Sequence, residues 1–168
     1  MRTHPPSGRF VLLSLLAFTL FPILVAYGFY WWAPSMATLS VGQLLPTKPF
    51  LAASLPGWPI GSWSLVSVEA GPCDNPCQQR RFTLRQIRLA QGEAAARIAR
   101  VRVLALHETA GSTEEVGLHA PHLVTQLSRP GYYLVDPLGN QVMFYADASD
   151  PVRVIREVGQ LIKINNAL

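Results

Sequence analysis

A small mixed α/β sheet flanked by helices, carried behind a single N-terminal membrane helix, is the fold class this sequence predicts. Three observations predict it. An uncharged run, residues 10–32, opens the chain behind Arg2 and Arg9. From Trp63 onward, strand-like segments alternate with helix-like ones. The last two strand-like segments, 132–135 and 141–145, flank the turn sequence Asp136-Pro137-Leu138-Gly139-Asn140 and so return on each other as a hairpin.

Composition sets the outer limits. At 168 residues there is room for one ordinary domain and an appendage. Apolar residues make up 49% and mean hydropathy is +0.22, which calls for a membrane segment. Net charge is +4, and seven of the fourteen basic residues lie between Arg80 and Arg102. Basic charge alone suggests nucleic acid. The chain has no zinc-finger spacing and no interleaving of aromatic and basic residues, so that class is set aside. Neither a paired-carboxylate nor a Ser-His-Asp constellation supports hydrolysis.

Each element follows in turn. The run 10–32, at about 1.5 Å of rise per residue, is roughly 35 Å long and crosses a bilayer with some tilt. Tyr30, Trp31 and Trp32 at its far end suit the lipid–water interface, and spans tolerate a proline such as Pro22. Its length favours an uncleaved anchor over a signal peptide. With two arginines before it and no charge after it until Lys48, residues 1–9 form a cytoplasmic tail and the larger C-terminal part lies outside. Residues 33–62, with five prolines and several glycines, read as a tether carrying at most a short strand or hairpin.

The folded domain begins at Trp63, so the predicted organisation is tail 1–9, anchor 10–32, tether 33–62 and domain 63–168. Residues 63–68 alternate as a strand. Residues 78–100 place Phe82, Ile87, Ala90, Ala94 and Ile98 at helical steps, with Arg81, Arg85 and Arg88 on a solvated face; Asp74 or Asn75 caps the start, Pro76 fits the first turn, and Gly92 is a point of bending or splitting. Residues 101–106 are a strand. Residues 107–129 are polar, with Glu114 and Glu115 as loop charge and a short helix near 119–127. Residues 150–164 are an amphipathic helix opened by Asp150-Pro151. A strand–helix–strand unit implies parallel pairing, and the hairpin adds antiparallel strands.

The chemistry concentrates in Gly71-Pro72-Cys73-Asp74-Asn75-Pro76-Cys77, which holds both cysteines of the chain. Two thiols between a strand and a helix start can exchange disulfides, bind a soft metal or form a permanent bridge. One helical turn separates Cys73 and Cys77 by about 6 Å between Cα atoms, within disulfide range. A permanent bridge across so short a loop removes little unfolded-chain entropy, so redox or metal chemistry is the preferred reading. The helix start, with Arg80 and Arg81 one turn on, favours a thiolate, and Cys73 is the more exposed candidate.

Cys73-x-x-x-Cys77 after a strand and before a helix, the later hairpin Tyr133-Leu134-Val135-Asp136-Pro137-Leu138-Gly139, the C-terminal helix and the N-terminal anchor together resemble the Sco/SenC family, over most of residues 60–165. The resemblance implies a thioredoxin-like domain on the periplasmic side of a bacterial inner membrane. It implies a role in cytochrome c oxidase assembly, by carrying copper to the binuclear centre of subunit II, by keeping that centre's cysteines reduced, or alongside other assembly factors. In that family two cysteines and a histidine hold copper. The histidine position, eight residues before Asp136, is Ser128 in this chain, and His122 and His119 are the nearest histidines, so the implied metal set is Cys73, Cys77 and His122. Pro130, six residues before Asp136, occupies the spacing of the cis-proline in thioredoxin-like thiol reductases, where Cys73 would attack, Cys77 would resolve and Pro130 would shape the site. Alternatives are a general extracytoplasmic thiol-disulfide oxidoreductase and a scaffold with an inert disulfide.

Overall fold

The computed structural model describes residues 8–32, 40–106 and 115–165, in two compact units divided between Leu39 and Ser40. The first unit contains α1 (Gly8–Trp32), a continuous helix through Pro22. Its segment Val11–Phe29 is long and apolar enough to cross a membrane.

The second unit is a six-stranded mixed sheet with helices on both faces. Its elements are β1 (Gln43–Leu44), β2 (Trp63–Glu69), α2 (Asn75–Leu89), β3 (Ile98–Leu104), β4 (Glu115–His119), α3 (Pro121–Leu127), β5 (Gly131–Val135), β6 (Gln141–Ala146) and α4 (Pro151–Asn165). The order across the sheet is β1-β6-β5-β2-β3-β4. β2 pairs in parallel with β3 and β3 with β4, while β5, β6 and β1 add antiparallel strands. The strand–helix–strand unit and the hairpin therefore form as their sequences predict.

β2 is central and buried along its whole length, so its two side-chain faces feed two cores. Val66 and Val68 join Val101, Val103, Leu123, Val124, Leu127 and Tyr133 under α3. Trp63 and Leu65 join Leu84, Ile87, Leu134, Tyr145, Val154 and Val158 under α2 and α4. By strand alternation Ser67 and Glu69 also face α2. Fully burying one such aliphatic side chain contributes about 1.5–3 kcal/mol. The hairpin turn is held by the Asp136 carboxylate, whose oxygens accept from Leu138 N, Asn140 N and Asn140 Nδ2, with Gly139 at φ +87°.

Four expectations are corrected. The helix predicted over 78–100 stops at Leu89; Gly92 sits at φ +58°, a 3-10 turn follows over Gly92–Arg97, and β3 starts at Ile98. Its buried stripe is Cys77, Leu84 and Ile87, whereas Phe82 is 58% exposed. Glu115 belongs to an unforeseen edge strand, β4, rather than to a loop. The short helix begins at Pro121, after that strand.

Candidate functional site

β2 ends at Glu69, and the chain turns through Gly71 and Pro72 into the first turn of α2. Asp74 is the helix N-cap: its carboxylate accepts from Cys77 N at 3.0 Å, as a residue of its type does there. Cys73 precedes the helix and Cys77 lies in its first turn. The two are joined as a disulfide with a Cα–Cα distance of 5.2 Å. Cys77 is 8% exposed and Cys73 half-buried, so Cys73 is the more exposed residue of the two, as expected.

The residue that sequence reasoning missed is Glu69. A carboxylate oxygen of Glu69 and the two sulfurs lie within 4.8 Å of one another, a grouping able to hold a metal ion. Glu69 is buried, and an unpaired carboxylate there would be costly. Arg81 of α2 supplies the pairing, with Nε 3.0 Å from Oε1 and Nη2 2.5 Å from Oε2. Arg102 of β3 approaches Oε2 at 3.5 Å through Nη1 and also reaches Glu115 Oε2 through Nε at 3.3 Å. Arg100 meets Glu115 Oε1 at 3.6 Å. Alternate charges thus run from the disulfide across the sheet to its edge. The arginine face assigned to solvent is therefore split: Arg81 holds Glu69, Arg88 donates to the carbonyls of Ala95 and Ile98, and Arg85 is exposed.

Beside the disulfide lies an open groove of ≈ 330 Å³, bordered by Glu69, Pro72, Asp74, Cys77, Arg80 and Ser128 among others. Ser128, the position implied for a histidine, does face this groove. Arg80, one of the lining residues, is bonded to Asp147 at 2.8 Å through Nε and 2.6 Å through Nη2. That bonded carboxylate holds the Arg80 pKa above its ordinary value, against the opposing effect of burial.

The other predicted residues lie outside this cluster. His122 is exposed on α3 and His119 is exposed at the end of β4; among the described residues the metal-capable group is Glu69, Cys73 and Cys77 alone. Pro130 is exposed and follows a trans peptide bond, and its carbonyl accepts from Asp147 N at 3.3 Å. Copper(I) is a soft ion suited to the two sulfurs. Glu69 does not fit as its third ligand, being a hard oxygen donor already held by two guanidinium groups.

Comparison with known proteins places this geometry. A family model described as the transmembrane-like, thioredoxin-like C-terminal domain matches residues 63–165, more than half of the chain. No curated protein matches the sequence. Among solved structures, Arabidopsis thaliana ScoI with copper bound is similar at 15% identity and a TM-score of 0.52, over 74% of this chain and 99% of that one. Apo Sco1 from Thermus thermophilus is similar at 15% identity and a TM-score of 0.52, over 72% and 96%. At such identity the likeness is one of fold.

Proposed function

The chain belongs to the transmembrane-like, thioredoxin-like family, and from that premise we propose that it is a membrane-anchored thiol-disulfide exchange protein of the Sco-like type. It would stand on the periplasmic face of a bacterial inner membrane and serve the cysteines of the cytochrome c oxidase copper centre. The observation that carries the reading is the Cys73–Cys77 disulfide at the start of α2, with Cys73 the more exposed residue. In the reduced chain the Cys73 thiolate attacks a client disulfide, forming a mixed disulfide and releasing one client thiolate. Cys77, as thiolate, then attacks Cys73 Sγ; the second client thiolate leaves, and the electron pair lost by the two cysteines has reduced the client. Pro130 would act on this site only indirectly: its carbonyl accepts from the backbone of Asp147, whose carboxylate in turn holds Arg80 beside the groove.

A second reading has copper(I) as cargo on the same two sulfurs. The pairing of two soft sulfur donors, Cys73 and Cys77, favours it, with a further ligand coming from the acceptor protein because Glu69 is held by Arg81.

Trapping tests the first reading. Cys77→Ser is expected to accumulate a mixed disulfide with an oxidase copper-centre domain, and Cys73→Ser is not; equal trapping by both, or by neither, counts against exchange. Copper(I) titration of the reduced chain against a competing chelator tests the second. Binding is expected to disappear in Cys73→Ser and to persist in His122→Ala; loss in His122→Ala would restore that histidine as a ligand.

A further inference from the structure

Glu69 is the single oxygen donor grouped with the two sulfurs among the described residues. Each of its oxygens accepts from Arg81, through Nε at 3.0 Å and Nη2 at 2.5 Å, and the Ser67 hydroxyl adds a longer bond to Oε1 at 3.5 Å. Arg102 contributes less, since it sits 3.5 Å from Glu69 and divides its guanidinium with Glu115. Asp74, the nearest other acid in sequence, spends its carboxylate on the helix cap. A cation entering the reduced site would therefore find two thiolates and a carboxylate that Arg81 must first release.

We propose that Arg81 guards the dithiol: by holding Glu69 it withholds the third protein ligand that a borderline divalent cation such as zinc needs, and so keeps the reduced cysteines free for exchange. Zinc in proteins is commonly four-coordinate and accepts cysteine sulfur and carboxylate oxygen together. A softer ion such as copper(I) is selected by the sulfurs themselves and gains less from the oxygen. The same guanidinium thus sets a preference between the two kinds of ion as well as between metal binding and exchange. Its mode of action is competition, not blockage. The Arg81 side chain is 29% exposed, so when displaced it passes into water rather than being stranded. Bidentate, charge-assisted bonds of this kind are strong enough to lower the affinity of a competing cation by about tenfold or more.

The inference rests on the exchange reading for its purpose, yet it is measured separately. The full-length chain in detergent is reduced and titrated with Zn²⁺ against a chromophoric chelator. Arg81→Gln is expected to bind zinc at least about tenfold more tightly than the parent. Glu69→Gln alone is expected to leave the parent's zinc affinity unchanged, and Glu69→Gln combined with Arg81→Gln to cancel the gain. Should Arg81→Gln fold poorly, Arg81→Lys, which cannot hold both oxygens, is expected to show part of the gain. No gain in either Arg81 variant overturns the proposal, and so does a gain that persists without Glu69. The midpoint potential of the same preparations reports on exchange independently: a potential unsuited to exchange removes that reading while the zinc comparison still decides the guard.

Discussion

Glu69→Gln is the substitution in which the buried charge network should register most strongly. It keeps the shape of the side chain and deletes the one carboxylate that, among the described residues, lies within 4.8 Å of both sulfurs. Breaking a buried ion pair by removing one partner destabilises by about 3–5 kcal/mol. Two features of this site reduce that figure. Arg81 is 29% exposed and can hydrate, and Arg102 keeps Glu115 at 3.3 Å. A loss of about 2–3 kcal/mol is therefore expected. Urea unfolding of the oxidised chain, followed by tryptophan fluorescence, measures it. A double-mutant cycle with Arg81→Gln should return a coupling above about 1 kcal/mol, because the pair is hydrogen-bonded on both oxygens. A loss below about 0.5 kcal/mol, typical of a surface substitution, would refute the claim that this carboxylate is held in the interior by its arginines.

Three further expectations follow from particular contacts. Asp74→Ala removes the helix cap on Cys77 N and should destabilise by about 1 kcal/mol in the same assay, with Asp74→Asn losing less. Glu157→Ala releases the segment it clips, since its carboxylate accepts from Ser40 Oγ, Val41 N and Gly42 N; amide hydrogen exchange at Val41 and Gly42 should accelerate before that of β2. Burial pushes the phenols of Tyr132 and Tyr145 well above the ordinary 10.0. In the unfolded chain both ionise near pH 10 while the folded chain keeps them protonated. Their contribution is thus fully present below pH 10 and is lost as pH rises above it toward the folded values, so urea midpoints should fall from pH 10 to 11.

The elements with a strong local signature were legible in the sequence. Asp74 and Pro76 mark the start of α2, the Asp136–Asn140 turn marks the β5–β6 hairpin, and uncharged length marks α1. What escaped depends on residues distant in the chain. Glu69 closes a strand with nothing local to mark it as buried; only the arrival of Arg81 from α2 and Arg102 from β3 makes its burial tolerable. β4 is a short edge strand with Gly117 at its centre, and its pattern is too brief to separate from a polar loop. In α2, helical spacing fits both a Phe82 stripe and a Leu84–Ile87 stripe. The side that is buried carries Cys77, Leu84 and Ile87, and Leu84 and Ile87 pack with residues of β2 and α4. One signal was available: Arg100 and Arg102 inside a strand predict acidic partners on the neighbouring strands, and Glu69 and Glu115 are the acids found there.

The claim on which the rest depends is that Cys73 and Cys77 cycle between disulfide and dithiol. Equilibrating the full-length chain in glutathione buffers and quantifying the free thiols measures this most directly. A midpoint between about −270 and −120 mV, the span of thioredoxin-like exchange proteins, is the predicted result. A midpoint below about −300 mV, where structural disulfides lie, would contradict it.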